Sequence, residues 1–247
     1  MTGQDVVTHI LAALRQEPRL GAEFTPEKME LGADGTLTLV AEVPSVAAKK
    51  RALELAAAPA EVRGVIDRLR VTPATPMEDG EIRAHLKVLF VNEPAFEGFA
   101  IREGRPGDDP SVAVFTPATT APENPRGRID FEVREGVVIL NGAVPGLVSQ
   151  RLAGVMAWWV PGARDVVNGL EPTPPEEDAP IRIEEAVRIV LDRNPYVDDS
   201  QIRIGVRGRV VRLTGAVRSA AERDMAEADT WCILGVDEVI NDIQLPA

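Results

Sequence analysis

The sequence predicts an α+β chain of three tandem αββαβ units, each a three-stranded mixed sheet with two helices on one face. The first observation behind this is an internal repeat, because residues 135–172 return without a gap as 208–245. Eleven of these thirty-eight positions are identical, among them Leu140/Leu213, Gly142/Gly215, Ala153/Ala226, Trp158/Trp231 and Asn168/Asn241, where chance gives about two. The second is a diverged copy 174 residues before the last one, in which Leu37, Leu39, Val43, Ser45, Ala52, Val62 and Val65 meet Val211, Leu213, Val217, Ser219, Ala226, Val236 and Val239. The third is the order of hydrophobic periods inside each copy, which runs helix, strand, strand, helix, strand.

In the first copy, Val6, Ile10, Leu11 and Leu14 recur at helical spacing before Pro18 stops the helix. Strands follow at 28–31 and 36–43, joined by Ala33-Asp34-Gly35, a tight-turn sequence. Ser45 caps a second helix rich in Ala and Leu, Pro59 ends it, and 64–71 reads as the closing strand. The first helix returns as Ile82, Leu86, Phe90 and as Ile183, Val187, Leu191. Ile129, Phe131, Val133 and Ile202, Ile204, Val206 alternate with polar residues, as in strands with one buried face. Gly142 and Gly215 mark a bulge or a close approach by the helix in the second strand, where the first copy has Ala41.

These copies define units at 1–71, 81–170 and 181–247. The intervening 72–80 and 171–180 are Pro-rich and acidic, and read as stiff spacers that set distance rather than packing. Each unit is near the size at which one core is marginal, so packing between copies is expected. The segment 97–128 breaks the pattern, since the third copy has only a few residues there. It reads either as disordered or passive decoration or as a loop facing a partner or ligand.

With 27 Lys and Arg against 39 Asp and Glu, the net charge is −12, which argues against nucleic-acid binding and against simple electrostatic adhesion to anionic lipid. One cysteine, Cys232, excludes an internal disulfide framework. No run approaches the roughly 18 apolar residues of a membrane span. Residues 1–20 carry charge throughout their apolar pattern and do not read as a secretory signal. The expected location is therefore cytoplasmic, or periplasmic if a leader has been removed.

The segments 136–144 with 162–170, 210–217 with 235–243, and more weakly 34–43 with 62–71 carry a glycine-marked second strand, a capped helix and a closing strand close to "GV-x-x-V-x-N-x-L", as GARDVVNGL at 162–170 and GVDEVINDI at 235–243. This pattern resembles the BON domain family. The resemblance implies a non-enzymatic bacterial protein of the stress and envelope kind, with a binding or scaffold role at phospholipid surfaces or with protein partners. A cytoplasmic sensor of a monovalent or divalent cation or small ligand is the alternative it leaves, and a chaperone-like protein the third.

Catalytic and cofactor motifs find little support. His9 and His85 share a helix position but lack ligand-spaced neighbours, Ser45 and Ser219 read as caps, and no phosphate loop or dinucleotide fingerprint is present, so no cofactor is expected. Asp108-Asp109 and Asp198-Asp199 are loop pairs that suit either a hard cation or solvated turns. The stripe Val148, Leu152, Val155, Trp159 matches Ala221, Met225, Ala228, Cys232, which assigns Trp159 and Cys232 to the core. Trp158 and Trp231 then fall at the stripe's edge, half exposed, as a lid, a contact between copies, or a membrane or partner contact. Arg203, Arg207, Arg209, Arg212 and Arg218 surround the last hairpin, and alternation puts Arg203 and Arg212 on its open face. Trp158, Trp231, Arg203 and Arg212 are the candidate surface-binding residues.

Overall fold

Mixed sheets of three, five and three strands, with six α-helices, are described by the computed structural model over residues 3–106 and 113–246. Two compact units divide the chain, Met1–Thr72 and Pro73–Ala247.

In the first unit, α1 (Gly3–Gln16) buries Val6, Ile10 and Leu14 at helical spacing. The strand β1 (Lys28–Leu31) pairs antiparallel with β2 (Thr36–Val43) around a turn in which the Asp34 carboxylate accepts from the Thr36 amide at 3.0 Å. The chain then passes through α2 (Val46–Ala57), capped by the Ser45 hydroxyl accepting from the Ala48 amide, into β3 (Gly64–Val71), parallel to β2. Leu37, Leu39, Ala41 and Val43 point inward and are buried, each large aliphatic contributing roughly 1.5–3 kcal/mol.

The second unit holds the other two copies. Its elements are α3 (Asp79–Asn92), β4 (Phe99–Pro106), β5 (Ala113–Pro117), β6 (Gly127–Arg134), β7 (Val137–Val144), α4 (Leu147–Trp158) and β8 (Asp165–Pro172). They are followed by α5 (Pro180–Arg193), β9 (Ile202–Arg207), β10 (Val210–Ala216), α6 (Ala220–Cys232) and β11 (Glu238–Gln244). The third copy forms the sheet β11-β10-β9, whereas the second forms β5-β4-β6-β7-β8. The expected three strands of the middle copy are thus five. Residues 97–128 add a hairpin whose first strand, β4, runs parallel to β6 and seats Phe99 and Ile101 in the core. The pair Asp108-Asp109 lies outside the described residues.

The acidic connections do more than set distance. In the second, the Glu176 carboxylate accepts from the Leu147 amide at 2.8 Å, at a helix start where Gly146 has no side chain to offer. Asp178 pairs with Arg151. In the first, Asp79 at the start of α3 accepts from the Glu135 and Gly136 amides, and Thr75 donates to the Pro161 carbonyl. Carboxylates at defined positions turn these stretches, expected to set distance rather than packing, into straps.

Gly142 and Gly215 have φ of +131° and +121°, and a Cβ there would lie 2.2 Å from the Arg128 carbonyl oxygen and 1.9 Å from that of Gln201. The close approach is thus made by the neighbouring strand and not by the helix. The repeated Asn168 and Asn241 tie the closing strand to the second helix, donating to the Gln150 and Arg223 carbonyls at 2.7 and 3.2 Å. The first copy achieves the same tie with charge, Lys49 meeting Asp67 at 3.0 Å.

Candidate binding surfaces

Helix α4 is buried nearly all round, from Leu147 to Ala157, because it packs on its own sheet, on α3, and on α5 and α6 of the next copy. The second and third copies are therefore joined through their helices, as the marginal size of each unit leads one to expect, and polar groups are set into an otherwise apolar joint. Asp229 on α6, 5% exposed, accepts from the Trp159 indole at 2.8 Å and from the Asn194 amide at 2.6 Å. Burial raises its pKa above the ordinary carboxylate value, and the two hydrogen bonds oppose that rise. Arg151, 1% exposed, donates Nε to the Leu234 carbonyl at 2.7 Å and pairs with Asp178, while its Nη1 has no protein partner. Arg193 reaches Glu93 across the same joint at 3.1 Å.

The candidate tryptophans separate here. Trp158 is half-buried as expected, but Trp231 is 2% exposed and belongs to the core. Trp159 and Cys232, expected inside, are half-buried, and Ala221 and Ala228 are exposed. The inward face of α6 is Glu222, Ala226, Asp229 and Thr230. With Trp231 these make five buried residues, three of them polar, and none belongs to the stripe Ala221, Met225, Ala228 and Cys232, so the hydrophobic stripe pointed to the wrong side.

On the open face of the third sheet, Arg203 and Arg212 are exposed, as alternation requires. Much of the positive patch is compensated in place. Arg212 meets Asp242 at 2.6 Å, Arg209 meets Asp237 at 3.1 Å, and Arg218 meets Asp198 at 3.3 Å. Among the described residues no carboxylate lies within ion-pair distance of Arg203 or Arg207. The Asp198 carboxyl is held below its ordinary pKa, first by the Ser200 hydroxyl and then by its backbone and by Arg218. It is committed to this turn. No group of three or more His, Cys, Asp or Glu side chains placed to hold a metal occurs among the described residues. His9 and His85 are exposed, His85 Nδ1 lying 2.9 Å from the Glu81 carbonyl oxygen of its own helix.

Two further features were missed by reading the sequence. Ile66 (46% exposed), Val167 (51% exposed) and half-buried Ile240 occupy the same position of the closing strand in the three copies, on the face turned away from the helices. Beside β9, a groove of about 350 Å³ runs between that strand and α5, lined by Arg188, Leu191, Asp199, Ile202, Arg203 and Ile204.

The family model of the BON domain matches residues 119–174 and 182–247. Its match to the middle copy begins just after β5, so the β4-β5 hairpin stands outside the matched pattern. No curated protein matches the sequence. Among solved structures, the C-terminal domain of CdsD, a structural protein of the Type III secretion system of Chlamydia trachomatis, aligns over 100% of both chains at 14% identity and a TM-score of 0.25. A second CdsD structure aligns over 98% of this chain and 92% of its own at 15% identity, also with a TM-score of 0.25.

Proposed function

Because the chain belongs to the BON domain family, whose domains are non-catalytic modules that bind phospholipids or proteins, we propose that it is a binding scaffold whose partner is a protein. The observation that carries this reading is the local neutralisation of the third hairpin. Arg209, Arg212 and Arg218 each meet an aspartate of their own repeat, in a chain of net charge −12. A bilayer of anionic lipid attracts clustered uncompensated cations, at about 1 kcal/mol for each Lys or Arg near the surface, and these pairs remove most of that attraction. A protein partner can instead be met by shape, apolar contact and strand pairing. The joint through α4 supports a scaffold role, because it holds two binding modules in one compact unit.

Phospholipid is the second reading, favoured by the exposed aliphatic residues Ile66, Val167 and Ile240. Vesicle co-sedimentation separates the two. The protein reading expects the chain to stay in the supernatant with neutral and with anionic phospholipid vesicles, at low and at high salt. Pelleting with anionic vesicles that salt reverses, or salt-insensitive pelleting with neutral ones, overturns it in favour of lipid.

A further inference from the structure

Strands β6 and β9 are the same strand in successive repeats, 73 residues apart, yet their edges differ. The edge of β6 is covered by β4, which pairs with it in parallel, Ile101 opposite Ile129 and Arg102 opposite Asp130. Beneath that pairing Phe99 meets Phe96 at 5.4 Å, and Phe96 and Phe131 each meet Phe90, at 5.8 and 5.7 Å. In the third repeat β9 ends its sheet, and Leu191, Val197 and Ile204 stand where Phe90, Phe96 and Phe131 stand. Among the described residues no strand pairs with the outer edge of β9 to supply a counterpart of Phe99. Accordingly Ile202, Ile204 and Val206 are half-exposed, whereas their counterparts Ile129, Phe131 and Val133 are buried. The groove beside α5 occupies the position that β4 fills one repeat earlier.

We propose that the β9 edge is a docking site for an extended strand of a partner protein, added in parallel as β4 is added to β6. The charge pattern specifies the strand. In the middle repeat Arg102 of the added strand donates Nε to Asp130 at 2.6 Å. The residue corresponding to Asp130 is Arg203, so the sign is inverted and the incoming strand carries Asp or Glu at that position, after an inward aliphatic opposite Ile202. Ser200 replaces Gly127, which lies in close contact with Phe99, so a β-branched aliphatic suits the preceding inward position better than an aromatic. Two copies of this chain are a poor match for one another, because antiparallel β9–β9 pairing centred on Gly205 sets Arg203 against Arg207 in both directions. The proposal rests on the protein-binding reading and names its site and partner chemistry.

The test uses the full chain and two peptides of residues 98–106. Both carry Phe99→Val, and one also carries Arg102→Glu. Opposite against like charge across a strand pair predicts that the Glu peptide binds about fivefold more tightly than the Arg peptide, with amide shifts in β9 and α5. The surface variant Arg203→Asp reverses the preference. Equal affinity for both peptides, failure of both to bind, or concentration-dependent self-association through β9 overturns the proposal. If the peptides fail while vesicles leave the chain in solution, the docking site falls and the protein-binding reading stands. If vesicles pellet the chain, that reading falls first.

Discussion

Replacing Gly215 by alanine should be among the most damaging single-methyl changes available to this chain. At φ +121° the new side chain is strained wherever it points, and its Cβ would lie 1.9 Å from the Gln201 carbonyl oxygen. That oxygen is backbone, fixed by the antiparallel pairing of Gly215 with Ile202, so it cannot swing aside as a flexible side chain would. The unfavourable dihedral costs about 1–3 kcal/mol. Separating the strand ends weakens at least one ladder hydrogen bond, for about 1 kcal/mol more. The sum, about 3 kcal/mol, lowers the melting temperature of a unit the size of 73–247 by about 6–12 °C. All three tryptophans lie in that unit, so indole fluorescence during urea and thermal unfolding reports it selectively. The equivalent position of the first repeat is Ala41, on an ordinary strand. Ala41→Gly should cost only about 1 kcal/mol and leave the fluorescence transition in place. A Gly215→Ala protein within about 0.5 kcal/mol of wild type would refute the strand-contact account.

Two further expectations concern the joint between repeats. Asp229→Ala leaves the Trp159 and Asn194 donors without their acceptor and should cost about 2–3 kcal/mol. Because burial raises the folded-state pKa of Asp229, the folded chain holds a proton that the unfolded chain has lost between the ordinary carboxylate pKa and the raised one. The stability it contributes is therefore full below that window and falls as pH rises through it, so the deficit of the variant should shrink with rising pH in paired denaturation curves. A constant or growing deficit would contradict this. By calorimetry, Trp231→Ala should cost about 3–5 kcal/mol as a core truncation, and Trp158→Ala clearly less; the reverse order would return Trp231 to the surface.

Element boundaries were legible where punctuation is chemical. Asp34-Gly35, Ser45 and Pro59 delimit the strands and helix of the first repeat, and β1, β2 and β3 lie where those residues place them. The hairpin in 97–128 was not legible, because β4 alternates briefly before Gly104, Arg105 and Pro106 blur its period. Its partner β6 also lies beyond β5, so no local turn announces the pairing. The phase of α6 failed for another reason. It was aligned on α4, but a helix packed on several sides has no single apolar stripe to lend, and the inward face of α6 carries Glu222, Asp229 and Thr230. Thr230 donates to the Ala226 carbonyl of its own helix, and Glu222 accepts from the Arg218 and Asp198 amides. Asp229 is satisfied by Trp159 and Asn194, distant in sequence, of which a local hydrophobic pattern holds no record. Of the candidate surface, the exposure of Arg203 and Arg212 followed from strand period alone, while their different charge environments depended on β11 lying beside β10.

The enclosure of α4 bears on how this chain can have evolved and how it can be dissected. Tandem duplication begins with interchangeable copies, each able to be lost, shuffled or expressed alone. Once one copy's helix became buried along most of its length, from Arg151 to Ala157, with Arg151 answered by the next segment, that exchangeability ended for the last two repeats. A fragment stopping at residue 170 would present the apolar α5- and α6-facing sides of α4 directly to water. Excision between these repeats should therefore yield aggregation rather than two working halves. They are inherited as one piece.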